Sequence, residues 1–173
     1  MALSIRRASA TAGILAGPIL LGAALMALGG EAGDRVQEAG AAQVDACPAA
    51  ALLSELNDPV GLGDRPRILL AQVDLGPLLL YRTSHSVVAT PYHRNADGIL
   101  DSQRIMTISD TAEARRLIAE RGIDVVVPCG FGAPADEESL VALLRRGVVP
   151  DWLVRRPLPG TDGGQAVYEV VSP

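Results

Sequence analysis

Asp74, Gly76, His93, Arg94 and Asn95 are the residues of this 173-residue sequence whose types and spacing could do chemistry together. Each follows a short apolar run of strand length: Ile68 to Val73 leads to Asp74 and Gly76, and Ser86 to Thr90 leads to Pro91-Tyr92-His93-Arg94-Asn95. In an open α/β sheet, ligands gather beyond the carboxyl ends of the strands. Two strands linked by one short helix should be neighbours, so Asp74 and His93 are expected to converge. A carboxylate, an imidazole, a guanidinium and an amide side by side can bind a phosphate or a sugar. The ordinary structural use of the same residues is Asp74 as a helix cap and Arg94 and Asn95 as clamps on their loop. An Asp74–His93 acid–base pair would be the catalytic version of this site.

Other chemistry has less support. His85, His93, Asp97 and Asp101 could hold a metal on paper, but the two histidines stand at opposite ends of a strand. They would be about 26 Å apart if fully extended, so no metal site is expected. Gly130-Phe131-Gly132-Ala133-Pro134-Ala135 matches GxGxxA after a strand. Pro134 lacks a backbone N–H that could face phosphate, and no acidic residue ends a following βαβ strand, so no dinucleotide or other cofactor is expected. P-loop lysine, GxSxG, HExxH and CxxC signatures are all missing from the sequence, which removes the common kinase, hydrolase, protease and redox readings.

The elements that must position these residues can be read from periodicity. A short helix is expected from Pro48 to Asn57, ended by Asp58-Pro59. A strand follows over Ile68 to Val73, then a helix beginning at Leu78–Tyr81 that Asp74 could cap. A second strand covers Ser86 to Thr90, and 99–107 reads as an irregular helix. Ser109-Asp110-Thr111-Ala112-Glu113 is a helix start, with Gly122 as its stop. Ile123 to Pro128 is a third strand. Asp136 opens a helix through Arg146, acids first and arginines last, matching the helix dipole. Trp152 to Leu158 and Ala166 to Val171 close the chain as a hairpin. Alternation of strands and helices, with continuous apolar runs, predicts an α/β fold: a mostly parallel sheet flanked by helices, with a C-terminal antiparallel edge hairpin.

Charge and cysteine usage bear on location. All 15 basic residues are arginine, and against 20 acids they leave a net charge of −5. That argues against nucleic acid as a partner, because phosphate contacts need a basic surface. Arg6 and Arg7 are the only charges before Glu31, and the uncharged segment 8–30 between them would span about 34 Å as a helix, enough to cross a bilayer. The expected organisation is a cytoplasmic N-terminus at 1–7, one transmembrane helix at 8–30, a linker at 31–46 and a periplasmic domain at 47–173. That describes a single-pass inner-membrane protein. The alternative is a signal peptide cleaved near Ala27-Leu28-Gly29, which would release the domain to the periplasm. Both readings export the domain, and export makes Cys47 and Cys129 a disulfide rather than a metal site or a nucleophile.

Taken together, an apolar helix, a linker with one cysteine, ILLAQVDLGPLLLYRTSHSVVATPYHRNADGILD and a strand ending VVVPCG resemble a known type of domain. It is the C-terminal extracytoplasmic domain of polytopic bacterial membrane proteins related to lipid-linked-sugar glycosyltransferases. These include the protein mannosyltransferases and, more distantly, the oligosaccharyltransferases. The Asp74–Pro77 step and the Pro91–Asn95 run carry most of the match. In those enzymes the multi-spanning part carries the catalytic acid and holds the lipid-linked donor, and this sequence has one apolar span. The resemblance therefore implies a membrane-anchored accessory or recognition domain, not catalytic alone. Its partners would be a polytopic glycosyltransferase-like protein and a glycan or lipid-linked sugar. An independent periplasmic enzyme using Asp74 and His93, or a structural remnant of a larger membrane protein, are the alternatives.

Overall fold

Strands only two to five residues long, buried by helices on both faces, define the architecture. The computed structural model describes residues 47–171 apart from 133 and 135. Segments 1–7, 8–30 and 31–46, with their expected cytoplasmic, membrane and linker roles, lie outside the described residues. Among the described residues, no helix is long and apolar enough to cross a membrane.

The elements in order are α1 (Ala49–Leu56), β1 (Ile68–Leu70), α2 (Gly76–Arg82), β2 (Ser86–Val87), α3 (Ala96–Thr107), α4 (Thr111–Glu120), β3 (Val125–Val126), α5 (Leu140–Arg145), β4 (Leu153–Pro157) and β5 (Ala166–Val170). Three 3₁₀ turns join them, at Leu62–Asp64, Val73–Leu75 and His93–Asn95. The sheet runs β2-β1-β3-β5-β4. β1 lies parallel to both β2 and β3, while β5 lies antiparallel to both β3 and β4. The sheet is thus evenly mixed rather than mostly parallel. The hairpin reverses direction as expected, but it inserts β5 next to the parallel strands and leaves β4 outside. The residues explain that choice: Ala166, Val167 and Tyr168 are buried, whereas β4 carries Arg155 and Arg156. Charged side chains suit an edge strand, where they discourage pairing with other chains.

Alternate residues of each strand face two separate cores. Leu69, Val125 and Val167 pack with α1 (Leu52, Leu56), with Leu75 of the 3₁₀ turn and with Leu79 of α2. Leu70, Val126 and Tyr168 pack with α3 (Ile105, Met106), α4 (Leu117, Ile118) and α5 (Leu140, Leu144). The connection from β1 to β2 therefore uses one face. The connection from β2 back across β1 to β3 uses the other, as right-handed crossovers in opposite directions require.

Helix ends follow the side chains available to them. Asp110 caps α4, its Oδ1 accepting from the Ala112 and Glu113 N–H groups at 2.9 and 3.3 Å. Gly122 ends that helix in the left-handed conformation, φ 61°, where a glycine carries no Cβ penalty. Two expected caps are corrected. Asp74 does not cap α2; Gln72 accepts from the Asp74 N–H at 2.7 Å and opens the 3₁₀ turn that leads into the helix. Asp136 does not open α5, which begins four residues later behind Ser139 as its N-cap. Asp136 instead closes a turn, accepting from the Glu138 N–H at 2.8 Å.

Cys47 and Cys129 are joined as a disulfide, their Cα atoms 5.0 Å apart. The bridge fastens the chain two residues ahead of α1 to the loop that leaves β3. At the opposite, amino end of the sheet, buried Arg67 donates to Glu169 at 2.8 Å, to Asp64 at 2.9 Å and to the Leu62 carbonyl at 3.1 Å. Arg156 reaches the other oxygen of Glu169 at 2.6 Å.

Candidate functional site

Three loops leave the carboxyl ends of the parallel strands: 71–75 after β1, 88–95 after β2 and 127–132 after β3. β1 lies between β2 and β3, so the three loops are neighbours, as the order of elements requires. The chain turns to opposite faces after β1 and after β2, and a change of this kind is where open α/β sheets usually form a crevice for a ligand. Here the backbones of the first two loops approach closely at Gly76. A Cβ on Gly76 would sit well inside van der Waals contact of the Ala89 carbonyl oxygen and 2.8 Å from Thr90 Cγ2. α2 thus begins directly against the loop after β2, and the absence of a side chain at Gly76 is explained by that approach.

The neighbouring loops are pinned as tightly. Asn95 donates through Nδ2 to the Val88 carbonyl at 2.9 Å. Gly98, on the buried side of α3, lies against that same carbonyl and the Asn95 amide, and any side chain there would collide with both. Four residues on, the Ser102 hydroxyl donates to the Ala71 carbonyl at 3.0 Å, tying α3 to the end of β1. Gly130 adopts φ 83° and lies against Gln72 and Leu75. The carbonyls of Phe131 and Gly132 accept from Arg145, whose guanidinium is pushed below its ordinary range by burial.

The five sequence-derived site residues therefore divide by what they touch. Gly76 and Asn95 are occupied in loop packing. Asp74 is exposed, and its Oδ2 accepts from Gln72 Nε2 at 2.9 Å. His93 and Arg94 lie exposed on the 3₁₀ turn that precedes α3. Among the described residues no hydrogen bond or ion pair joins Asp74 to His93 or Arg94, or engages the Arg94 guanidinium. The His93 ring stands 5.0 Å from the Tyr92 ring, inclined by 52°. Tyr92, half-exposed, was not singled out from the sequence; its place beside His93 in one polar loop was the available signal. Gln72, Gly98 and Ser102 were also missed, and Ser102 was findable as a serine on the apolar stripe of α3.

His85 is far from this cluster in role as well as position. It is buried just before β2, with Nδ1 accepting from the Arg67 N–H at 3.1 Å and Nε2 2.8 Å from the Leu56 carbonyl. Both ring nitrogens are used in holding α1 to the amino end of the sheet. Of the GxGxxA segment, residues 133 and 135 lie outside the described residues.

What remains available at the carboxyl edge is an exposed imidazole, guanidinium and phenol on a loop tied down by the Asn95 side-chain and backbone hydrogen bonds. That arrangement can present donors and a ring surface to a ligand lying across it.

No family model and no curated protein matches this chain. Among solved structures, the chain is similar to the C-terminal globular domain of an oligosaccharyltransferase from Archaeoglobus fulgidus. The two share a TM-score of 0.50 and 14% identity, over 69% of this chain and 94% of that domain. At that identity the likeness establishes a common fold.

Proposed function

We propose that this protein is a non-catalytic accessory domain of a glycosylation system, held at the periplasmic face of the inner membrane by its 8–30 segment. One observation carries the reading: the described residues take the fold of an oligosaccharyltransferase C-terminal globular domain, and nearly all of that domain is matched. The cysteine pair suits an oxidising compartment, and the charge pattern of the first thirty residues suits a cytoplasmic N-terminus. His93 and Arg94 are the recognition residues, because they are exposed and no side-chain hydrogen bond or ion pair engages them among the described residues. The partner is a polytopic glycosyltransferase-like protein that supplies the catalytic carboxylate and the lipid-linked donor. An acid–base role for Asp74 and His93 has no contact to support it.

The test is the size and composition of the complex extracted from membranes in mild detergent. A polytopic protein should co-purify with the chain, and replacing His93 and Arg94 with alanine should abolish the partner's transfer activity without loss of folding. Recovery of the chain alone, or of a soluble form shortened by about thirty residues as a cleaved signal would leave it, refutes the anchored accessory reading.

A further inference from the structure

We infer that the Asp162–Gly163 step, in the loop joining β4 to β5, is a modification site at which aspartate converts spontaneously to a β-linked isoaspartate. The sequence contains two Asp-Gly steps, Asp97–Gly98 and Asp162–Gly163. Glycine after aspartate favours this conversion, because no side chain shields the attacking nitrogen. The Gly163 nitrogen attacks Cγ of the protonated Asp162 carboxyl. A C–N bond forms, and the amide proton and the carboxyl hydroxyl leave as water. A second water then opens the five-membered succinimide. Addition at the Cγ carbonyl restores aspartate. Addition at the backbone carbonyl leaves the chain running through Cγ, with a free α-carboxylate and an unchanged mass.

The two steps share this chemistry and differ in their surroundings. Asp162, Gly163 and Gly164 are exposed. Asp162 is the one non-glycine residue with positive φ among the described residues, at 48°, and Gly160 and Gly163 stand near it at 73° and 74°. The left-handed backbone costs an aspartate more than a glycine, and the longer main chain of the β-linked product does not require it. A Cβ on Gly163 would meet nothing within 4 Å, so the peptide has room to turn toward the carboxyl. The hydrogen bonds of the loop leave the reacting atoms out. Thr161 donates to the Leu158 carbonyl at 2.8 Å, the Gly164 N–H to the Thr161 carbonyl at 3.0 Å, and Arg155 to the Gly163 carbonyl. Among the described residues nothing engages the Asp162 carboxylate or the Gly163 N–H. Asp97–Gly98 instead lies in the first turn of α3, with Gly98 buried against the Val88 carbonyl and the Asn95 amide. Ring closure there requires the helix to open. At the hairpin, Pro157 pairs with Ala166 and the Leu158 N–H donates to the Gln165 carbonyl at 2.9 Å. The added main-chain atom is therefore absorbed within the loop and the fold is kept.

The full chain in detergent is incubated for weeks at neutral pH, folded and in parallel unfolded in guanidinium chloride, then digested. Isoaspartyl peptides separate from aspartyl peptides of equal mass, and electron-transfer fragmentation locates the linkage. Asp162 should convert within about threefold of its unfolded rate, and Asp97 should be slowed on the order of tenfold or more by the helix that holds it. Asp162→Asn loses ammonia in the same step, keeps a residue that tolerates the left-handed region, and should convert several-fold faster with unchanged melting. Asp162→Glu should not convert, because closure would need a six-membered ring. No isoaspartate at Asp162 in the folded chain, or protection of Asp162 equal to that of Asp97, overturns the inference. The site is independent of His93 and Arg94, so neither result bears on the accessory reading.

Discussion

Glu169→Gln tests the charge network at the amino end of the sheet. Glu169 accepts from Arg67 at 2.8 Å and from Arg156 at 2.6 and 3.1 Å, and its side chain is 17% exposed. Breaking a buried ion pair usually costs about 3–5 kcal/mol, because the surviving charge stays desolvated. Two features reduce that here. Arg67, 7% exposed, keeps Asp64, and Arg156, 43% exposed, regains water. The expected loss is about 2–3 kcal/mol, a fall in melting temperature of roughly 6–12 °C for a domain of this size. Burial alone would raise the Glu169 pKa, but hydrogen bonds from Arg156 and Arg67 outweigh it and hold the carboxyl below its ordinary range. A depressed folded value means the contribution is complete above the unfolded glutamate value of about 4.3 and disappears as pH falls through the folded value. Thermal unfolding of wild type and variant, followed by circular dichroism at neutral pH and in steps of increasing acidity, should show two converging curves. A neutral-pH loss under about 0.5 kcal/mol, within the range of ordinary surface substitutions, refutes the reasoning. So does a loss that persists unchanged in acid, which would assign the effect to packing rather than charge.

Three further outcomes follow from particular contacts. Gly76→Ala should cost about 3 kcal/mol through collision with the Ala89 carbonyl. Gly147→Ala, at φ 77° with open space around it, should cost only about 1 kcal/mol from its left-handed backbone; equal losses in chemical denaturation would contradict the packing account. Reduction of the Cys47–Cys129 disulfide should destabilise by about 2–5 kcal/mol, seen as a lower melting temperature in dithiothreitol, and an unchanged melt would refute it. His85 should be a neutral Nε2–H tautomer, because Nδ1 accepts from Arg67 and the Leu56 carbonyl can only accept from Nε2. Imidazole ¹⁵N chemical shifts report this directly, and the opposite tautomer would exclude the assigned bonds.

The parts of the fold legible in the sequence were those set by local chemistry. Asp110 before Thr111-Ala112-Glu113 marked a helix start because its carboxylate reaches the first free N–H groups, and Gly122 marked the stop because glycine tolerates positive φ. The cysteine pair was legible from the charge pattern of a segment elsewhere in the chain. Strand lengths were not. Ile68 to Val73 is apolar except for Gln72, but pairing ends at Leu70, since apolarity reports burial while pairing depends on how far a neighbour extends, and β2 is only two residues long. The order of the hairpin strands was hidden for a similar reason, because it depends on which strand the parallel core accepts. The helix expected over 99–107 begins three residues earlier, with Ala96-Asp97-Gly98 opening α3. Gly98 belongs in that helix because only a glycine fits against Val88, a contact with no local signature. Asp74 illustrates the limit at the site: acid before a helix suggests a cap, but α2 takes no side-chain cap, and Gln72 caps the 3₁₀ turn ahead of it instead.

The same distinction decides how the candidate site should be read. A sequence reports residue types at the carboxyl ends of strands, where both ligands and loop clamps are found. Only the packing separates them. Gly76 and Asn95 are consumed in packing and tying the loop after β2, and their replacement would damage folding before it affected any ligand. Tyr92, His93 and Arg94 are left exposed on that loop, held by bonds to which their own side chains do not contribute. A loop whose anchoring and presenting residues are separate can change its exposed side chains without losing its conformation. That separation suits the surface recognition proposed above, since the exposed side chains can vary while the scaffold that presents them stays the same.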